Sequence, residues 1–159
     1  MKTVIIGLGI QGQKRKKFAK KDFVASIDPF KKKADFKKIQ EVPLRCYDAA
    51  LICVPDKFKF KIIEYCLINN KHVLVEKPLK LKKMQFNRIA DLVRKKNLIL
   101  YTAYNHRFEP HFITMKKLIS SGKLGKIYSC KMFYGNGTSK LVYRNRWKDK
   151  SIGVISDLG

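Results

Sequence analysis

A glycine-rich turn between a predicted strand and a predicted helix constrains this fold more than any other feature. The turn follows directly on the apolar strand Thr3–Ile6 and has the spacing G-x-G-x-x-G. Its glycines are Gly7, Gly9 and Gly12. In such a turn the first glycine permits a tight bend, the second lets the backbone approach a pyrophosphate, and the third lets the helix pack closely on the strand. The N–H groups around Ile10 and Gln11 then face phosphate charge. The placement predicts a dinucleotide-binding unit.

An aspartate adds the second half of this fingerprint. Asp28 ends the predicted strand Phe23–Ile27, about twenty residues after the first glycine. A carboxylate there hydrogen-bonds an adenosine ribose hydroxyl and repels a 2′-phosphate, which favours NAD over NADP. By itself, Asp28-Pro29 is also a common turn. The lysines that follow offer charge to the same phosphate and leave NADP open; they are Lys31, Lys32 and Lys33.

Short apolar strands alternate with longer helical patterns along most of the chain, which is typical of a parallel α/β sheet. The predicted strands span residues 3–6, 23–27, 49–54, 72–75 and 98–102, with a weak candidate at 42–46. The predicted helices span residues 11–20, 30–39, 81–96 and 110–121, and a further one carries Ile62, Ile63, Cys66 and Leu67 on one face and stops at Asn69-Asn70. In the helix at 81–96 the apolar stripe is Phe86, Ile89, Ala90 and Val93, and Asn97 caps it.

The pattern changes after Ser121-Gly122. Residues 126–134 alternate like a strand, residues 135–137 form a turn, and residues 141–143 are candidates to pair back. We therefore predict a doubly wound parallel (Rossmann) sheet over residues 1–122. Residues 123–159 are predicted to begin a mostly antiparallel α+β substrate and oligomerisation domain.

The charge of the chain invites a different interpretation, since 36 Lys and Arg against 12 Asp and Glu give a formal net charge of +24. Nucleic acid or an acidic membrane surface would suit such a field. The lysines are spread along the whole chain, however, and phosphate-binding and base-reading surfaces usually rely on arginine and exposed aromatic residues. We predict neither partner, and a nucleic-acid binder remains an alternative on charge alone.

Composition and residue spacing argue against a membrane-spanning, a secreted and a metal-binding protein. No apolar run reaches the roughly eighteen residues that span a bilayer, and the start lacks a signal-peptide pattern. The four cysteines show no C-x-x-C pair, so we predict free thiols and a cytoplasmic location. No grouping of His, Cys and Asp has metal-ligand spacing, which predicts no metal site.

Glu76-Lys77-Pro78 directly follows the predicted strand His72–Val75. A Glu-Lys pair is ordinarily a solvated surface pair, but this one lies at the carboxyl end of a parallel strand, where ligands bind in such sheets. A lysine there polarises a substrate oxygen or assists proton transfer as a hydride moves.

The motifs fall in a characteristic order along the whole chain. They are Gly7–Gly12, Ala49–Pro55, Glu76-Lys77-Pro78, Asn105–Pro110, Ile119–Gly125, Trp147 and Gly153–Gly159. This order resembles the glucose–fructose oxidoreductase/inositol dehydrogenase (Gfo/Idh/MocA) family. The combination of a Rossmann fingerprint with a Glu-Lys-Pro motif is specific, since few other dinucleotide enzymes have both.

The resemblance implies roles for particular residues. Lys77 would lie between nicotinamide and substrate and assist proton transfer, and Asp157 would support catalysis from a substrate-domain helix. Val54-Pro55 resembles the strand end that cradles the nicotinamide ribose. Glu76 and Asn105 match positions in the cofactor site. In the family a histidine follows the aspartate by four residues, commonly as the general acid/base, and here that position falls beyond Gly159.

The implied activity is hydride transfer between NAD(P) and a hydroxyl carbon of a sugar, cyclitol or nucleotide-sugar-like substrate. We expect this chain to be the front part of a longer, homo-oligomeric enzyme and nearly inactive alone. A dinucleotide-binding module or sensor without chemistry is the alternative. The chain departs from the family pattern at three places: Ser151-Ile152-Gly153 replaces a glycine triplet, Lys59 replaces a frequent histidine, and the shortened stretch from Asp28 to Asp48 is expected to trim the third strand and its helix.

Overall fold

The first unit of the chain is built on five parallel strands. A computed structural model describes residues 1–131 and 133. The chain divides after Ala103, and the sheet lies in the unit Met1–Ala103, with the strand order β2-β1-β3-β4-β5. The strands are β1 (Thr3–Ile6), β2 (Phe23–Ile27), β3 (Ala49–Ile52), β4 (His72–Val75) and β5 (Leu100–Thr102). The predicted Rossmann-type parallel sheet is confirmed.

The carboxyl ends of the strands are level with one another. Ile6 pairs with Ile27 on one side and with Ile52 on the other, and the pairing continues through Val75 to Thr102. The ladder extends one residue further, because the N–H that follows each of four strands donates to the last residue of a neighbouring strand: Gly7 to Ile27 (2.8 Å), Cys53 to Ile6 (2.7 Å), Glu76 to Ile52 (2.9 Å) and Ala103 to Val75 (2.8 Å). Residues that follow the strands therefore form a row along one edge of the sheet.

Three helices connect the strands of this unit: α1 (Ile10–Ala19), α2 (Asp56–Ile68) and α3 (Lys83–Lys95). Right-handed crossovers place α1 on one face of the sheet and α2 and α3 on the other, because the strand order reverses direction between β2 and β3. The predicted apolar face of α2 is confirmed, since Ile63, Cys66 and Leu67 are fully buried. The predicted helix ends also hold, because Asn70 and Asn97 adopt the left-handed backbone conformation that ends helices.

Two predictions between β2 and β3 are wrong. Residues 30–39 form turns and an isolated bridge instead of a helix, and residues 42–46 form a 3₁₀ turn instead of a strand. Asp35 is drawn to the sheet because its carboxylate accepts hydrogen bonds from the Ser26 N–H (2.8 Å) and hydroxyl (2.6 Å). Phe30 stays 87% exposed and contributes nothing to the core. The expected trimming of the third strand and its helix is thus confirmed.

The apolar stripe of α3 is shorter than predicted. Ile89 and Leu92 are buried against the core, and Val93 packs beside them. Phe86, which the spacing predicts on the same stripe, is 61% exposed. It lies in the first turn of the helix, before the buried residues begin.

The second unit begins at Tyr104. Its described part contains a 3₁₀ turn, Asn105–Phe108, and α4 (Pro110–Ser120), which confirms the helix predicted there. Residues 126–131 and 133 form no strand, so the strand predicted at 126–134 is wrong for these residues. The predicted turn at 135–137 and strand at 141–143 lie outside the described residues. A domain boundary at 122 stays a prediction.

Candidate nucleotide-binding site

The sheet edge at the carboxyl ends of the strands contains most of the predicted site residues. Gly7, Asp28, Cys53 and Glu76 follow β1, β2, β3 and β4 in the level row described above. The connections from β1 and β3 run in opposite directions along the sheet. This is the switch point at which open parallel sheets bind ligands.

The three glycines of the turn have different structural roles. A methyl group on Gly12 would lie 1.8 Å from the Gly7 carbonyl oxygen, and one on Gly7 would lie 2.6 Å from the Cys53 carbonyl oxygen. Gly7 also has φ +90°, which side chains rarely adopt. Gly9, in contrast, has ordinary backbone angles and no atom within 4 Å of such a methyl group. The fold requires Gly7 and Gly12, whereas the space at Gly9 is open to a ligand.

Asp28 holds the glycine turn through hydrogen bonds to backbone N–H groups. Its Oδ2 accepts the N–H of Leu8 (2.7 Å), and its Oδ1 accepts the N–H groups of Phe30 (2.9 Å) and Lys31 (3.1 Å). The residue is only 8% exposed. Burial on its own raises the pKa of this carboxyl, but the three backbone hydrogen bonds and the charge of Lys31 outweigh it, so the pKa lies below its ordinary value. Asp28 is therefore an ionised clamp between the turn and the segment after β2.

A cavity of about 460 Å³ lies beside the turn. It is lined by Leu8, Gly9, Ile10, Gln13, Lys31, Lys32 and Lys33. Ile10 and Gln11, in the first turn of α1, are exposed, and Ile10 is 78% exposed although it is apolar. The first turn of α1 contains no acidic residue. Backbone N–H groups at a helix start, an open glycine and nearby ammonium groups together suit an anionic ligand.

An ion pair joins α1 to the end of β4. The Arg15 guanidinium contacts Glu76 Oε1 through Nε (2.7 Å) and through a terminal nitrogen (2.6 Å), and both side chains are largely buried. Cys53 directly follows β3. Burial raises the pKa of its thiol to about 12, and the charge of Glu76 adds to the effect. The thiol is thus held neutral. The role predicted for Glu76 in cofactor binding stays a prediction, and its carboxylate is also a tether for the loop that it begins.

Lys59 fixes the same loop from α2. Its side chain is only 3% exposed, and the ammonium group donates to Asp56 Oδ1 (2.6 Å), to the Glu76 carbonyl oxygen (2.7 Å) and to the Pro78 carbonyl oxygen. A buried ammonium is stable only when its donors are satisfied, and here all three are. The residue at the position of a frequent family histidine is therefore a buried clamp on Glu76-Lys77-Pro78.

Of the remaining predicted residues, all but Asp157 lie in the described part of the chain. Lys77 is half-buried and precedes a cis peptide bond to Pro78, and Val54 lies against Gly7 while Pro55 caps α2. Asn105 begins the 3₁₀ turn of the second unit. Asp157 lies outside the described residues, so its role stays a prediction, as do those of Lys77 and Asn105.

Sequence reasoning missed Arg15 and the structural role of Lys59. Lys59 shares the buried face of α2 with Ile63 and Cys66, at spacings of four and seven residues. A charged residue on an otherwise apolar stripe indicates a buried partner. Arg15 follows the buried Gly12 by three residues on α1, so it faces the sheet, but nothing in the sequence identifies Glu76 as its partner.

Two further findings concern the described part of the chain. None of its helices is long and apolar enough to cross a membrane. Among residues 1–131 and 133, no three His, Cys, Asp or Glu side chains converge as metal ligands would.

Comparison with known proteins gives consistent matches. The model of the oxidoreductase family with an NAD-binding Rossmann fold, Gfo/Idh/MocA, matches residues 1–104. The chain is 33% identical over 79 residues to myo-inositol 2-dehydrogenase of Thermotoga maritima, covering 50% of this chain and 24% of that protein. It is 26% identical over 115 residues to scyllo-inositol 2-dehydrogenase (NADP(+)) of Bacillus subtilis, covering 70% of this chain and 32% of that protein.

A solved structure shares the fold. Scyllo-inositol dehydrogenase from Lactobacillus casei, with bound NAD(H) and scyllo-inositol, matches with a TM-score of 0.66 and 24% identity, covering 80% of this chain and 43% of that chain. The present chain thus spans less than half the length of each of these proteins.

Proposed function

This chain belongs to the Gfo/Idh/MocA family of NAD-binding oxidoreductases, and we propose that the protein transfers hydride between a nicotinamide cofactor and a hydroxyl carbon of its substrate. The substrate is a sugar, a cyclitol or a nucleotide-sugar-like molecule. Relatives named as myo-inositol and scyllo-inositol dehydrogenases support this class. One of them is named for NADP(+), and the matching solved structure holds NAD(H), so the cofactor at this level is NAD(P).

The site fits such a cofactor. The open space at Gly9 lets a pyrophosphate approach the backbone at the start of α1, where the N–H groups of Ile10 and Gln11 donate to it. Asp28 keeps the turn in position and has used three of the roughly four acceptor positions of its carboxylate. Val54 and Pro55 follow β3 at the switch point, where the proposal puts the nicotinamide ribose.

The chemistry divides between the cofactor and the protein. A bound nicotinamide accepts or supplies the hydride. Lys77 hydrogen-bonds the reacting substrate oxygen and receives or returns its proton through Nζ, and Asp157 supports this step. Lys59 and Arg15 contribute indirectly, because they hold the backbone and the Glu76 carboxylate of the loop that carries Lys77.

The open space at Gly9 is the observation that carries the proposal, because the fold has no use for a glycine there. The test is a fluorescence titration of the whole chain with NADH and NADPH, repeated with Gly9→Ala. We expect the variant to unfold at the same temperature as the parent and to lose nucleotide affinity at least about tenfold, since a methyl group intrudes on the pyrophosphate. Absence of binding by the folded parent chain would contradict the proposal.

An Asp28→Ala variant tests the clamp separately. Loss of its three hydrogen bonds releases the turn, so both the affinity for nucleotide and the stability of the fold are expected to fall. Loss of affinity without loss of stability would instead favour direct contact between Asp28 and a ribose.

The proposed setting is a cytoplasmic homo-oligomer that acts on a small molecule, with neither nucleic acid nor a membrane as partner. The four free cysteines are consistent with a reducing compartment. Light scattering of the purified protein tests the oligomer.

A further inference from the structure

The charged residues that line the cavity beside the glycine turn are three lysines, and Asp28 is not among the lining residues. Lys31, Lys32 and Lys33 line it together with residues of the glycine turn, and none of the described residues that line it is acidic. From the sequence, the carboxylate at the end of β2 is expected to face the cofactor and repel a 2′-phosphate. In the structure the three lysines line the cavity, whereas the Asp28 carboxylate lies outside its lining.

Asp28 does not line the cavity, and its oxygens are already engaged within the protein. Oδ2 accepts the Leu8 N–H, and Oδ1 accepts the N–H groups of Phe30 and Lys31. The last two bonds bend the chain immediately after β2 and bring the three lysines alongside the turn. Asp28, which the sequence suggests would repel a 2′-phosphate, thus positions three lysines that attract one.

The three ammonium groups are available to a ligand. All three lysines are exposed, and within the described part of the chain none of them forms an ion pair. Lys31 is close enough to Asp28 for their charges to interact, but the aspartate is buried. The start of α1, with no acidic residue in its first turn, adds positive potential at the same place.

We infer that this cavity receives the 2′-phosphate of NADP(H), that Lys31, Lys32 and Lys33 are the residues that select it, and that the protein prefers NADP(H) to NAD(H). The inference rests on the proposed dinucleotide site and specifies its ligand. A 2′-phosphate carries up to about two negative charges. Contacts with three lysines at a water-exposed site amount to a preference of about tenfold or more.

The experiment is a titration of the whole chain with NADPH and with NADH, using the parent, a Lys31→Gln/Lys32→Gln/Lys33→Gln variant and a control. The control, Lys57→Gln/Lys61→Gln/Lys95→Gln, removes the same number of charges from exposed positions on α2 and α3 that do not line the cavity. It therefore separates local recognition of the phosphate from general attraction by a chain of net charge +24.

We expect the parent to bind NADPH more tightly than NADH. The cavity variant should lose NADPH affinity about tenfold or more while its NADH affinity changes less than about threefold, and the control should keep the preference for NADPH. Raising the salt concentration should weaken NADPH binding more steeply than NADH binding, because exposed charges are screened.

Three outcomes overturn the inference. If NADH binds as tightly as NADPH, or if the cavity variant keeps the parent's affinity for NADPH, the lysines do not select a 2′-phosphate and the dinucleotide site itself stands. If the control loses the preference for NADPH as the cavity variant does, the selection is a property of net charge. If the folded chain binds neither nucleotide, the proposed function fails together with the inference.

Discussion

Replacing Lys59 with methionine tests whether a buried ammonium group holds the loop that carries Lys77. Methionine keeps most of the aliphatic volume on the apolar face of α2 but cannot donate a hydrogen bond. The substitution leaves the carbonyl oxygens of Glu76 and Pro78 without the donor that they have in the parent. It also removes the partner of Asp56.

The magnitude follows from these three contacts. A buried carbonyl oxygen left without a donor costs about 1–3 kcal/mol. The Asp56 side chain is 27% exposed and is able to turn to water. Loss of its ion pair with Lys59 therefore lowers the free energy of unfolding only by an amount at the low end of the range for exposed pairs. Methionine in turn avoids the cost of burying a charge, which offsets part of the loss. We expect a net decrease of about 2–4 kcal/mol in the free energy of unfolding.

The measurement is thermal unfolding followed by circular dichroism. For a unit of this size, a loss of about 3 kcal/mol corresponds to a decrease of roughly 12–24 °C in the midpoint. Lys61→Met is the matched control, because Lys61 lies on the same helix and is exposed. Its free energy of unfolding should stay within about 0.5 kcal/mol of the parent. If both variants unfold at the same temperature as the parent, the argument from the three buried contacts is refuted.

Three other predictions follow from buried or titrating groups. The Tyr47 hydroxyl is fully buried and has no hydrogen-bond partner among the described residues, so Tyr47→Phe should leave urea stability unchanged or raise it by up to about 2 kcal/mol; a clear decrease would reveal an unseen partner. The pKa values of Asp28 and Asp35 are lowered in the folded chain, so their contribution to stability is present above about pH 4 and is lost as the pH falls through the folded values; urea unfolding from pH 7 to 3 measures this, and a flat profile would contradict it. Iodoacetamide at pH 8 should label the exposed Cys130 in the native chain and reach Cys53, whose pKa burial raises to about 12, only after denaturation, as mass spectrometry of the peptides would show.

The sequence predicts the sheet well because its signals are local. Thr3–Ile6, Phe23–Ile27 and His72–Val75 are short apolar runs bounded by turn residues, and their observed limits agree with the prediction. The segment from 30 to 39 fails for the opposite reason. Its lysines have reasonable helix propensity, but the bonds between Asp35 and Ser26 are tertiary contacts that a local pattern does not reveal.

The site shows the same division. The glycine spacing and the position of Glu76-Lys77-Pro78 after a strand are legible in the sequence, because the carboxyl ends of parallel strands share one edge. The contacts that these residues make cannot be predicted from the sequence. Arg15 and Lys59 reach the loop after β4 from two different helices, and each contact depends on how a helix is seated on the sheet.

The fingerprint of this chain combines residues that serve the fold with one, Gly9, that serves the ligand under the proposed function. Gly7, Gly12 and Asp28 have protein atoms as neighbours: a methyl group on either glycine would collide with a backbone oxygen, and the carboxylate holds three backbone N–H groups. Gly9 has no such neighbour. A chain that keeps the first three and replaces the fourth should therefore fold into the same sheet and lose the nucleotide. Retention of the fingerprint as a whole is informative about binding chiefly through Gly9, and the Gly9→Ala variant measures that contribution separately from stability.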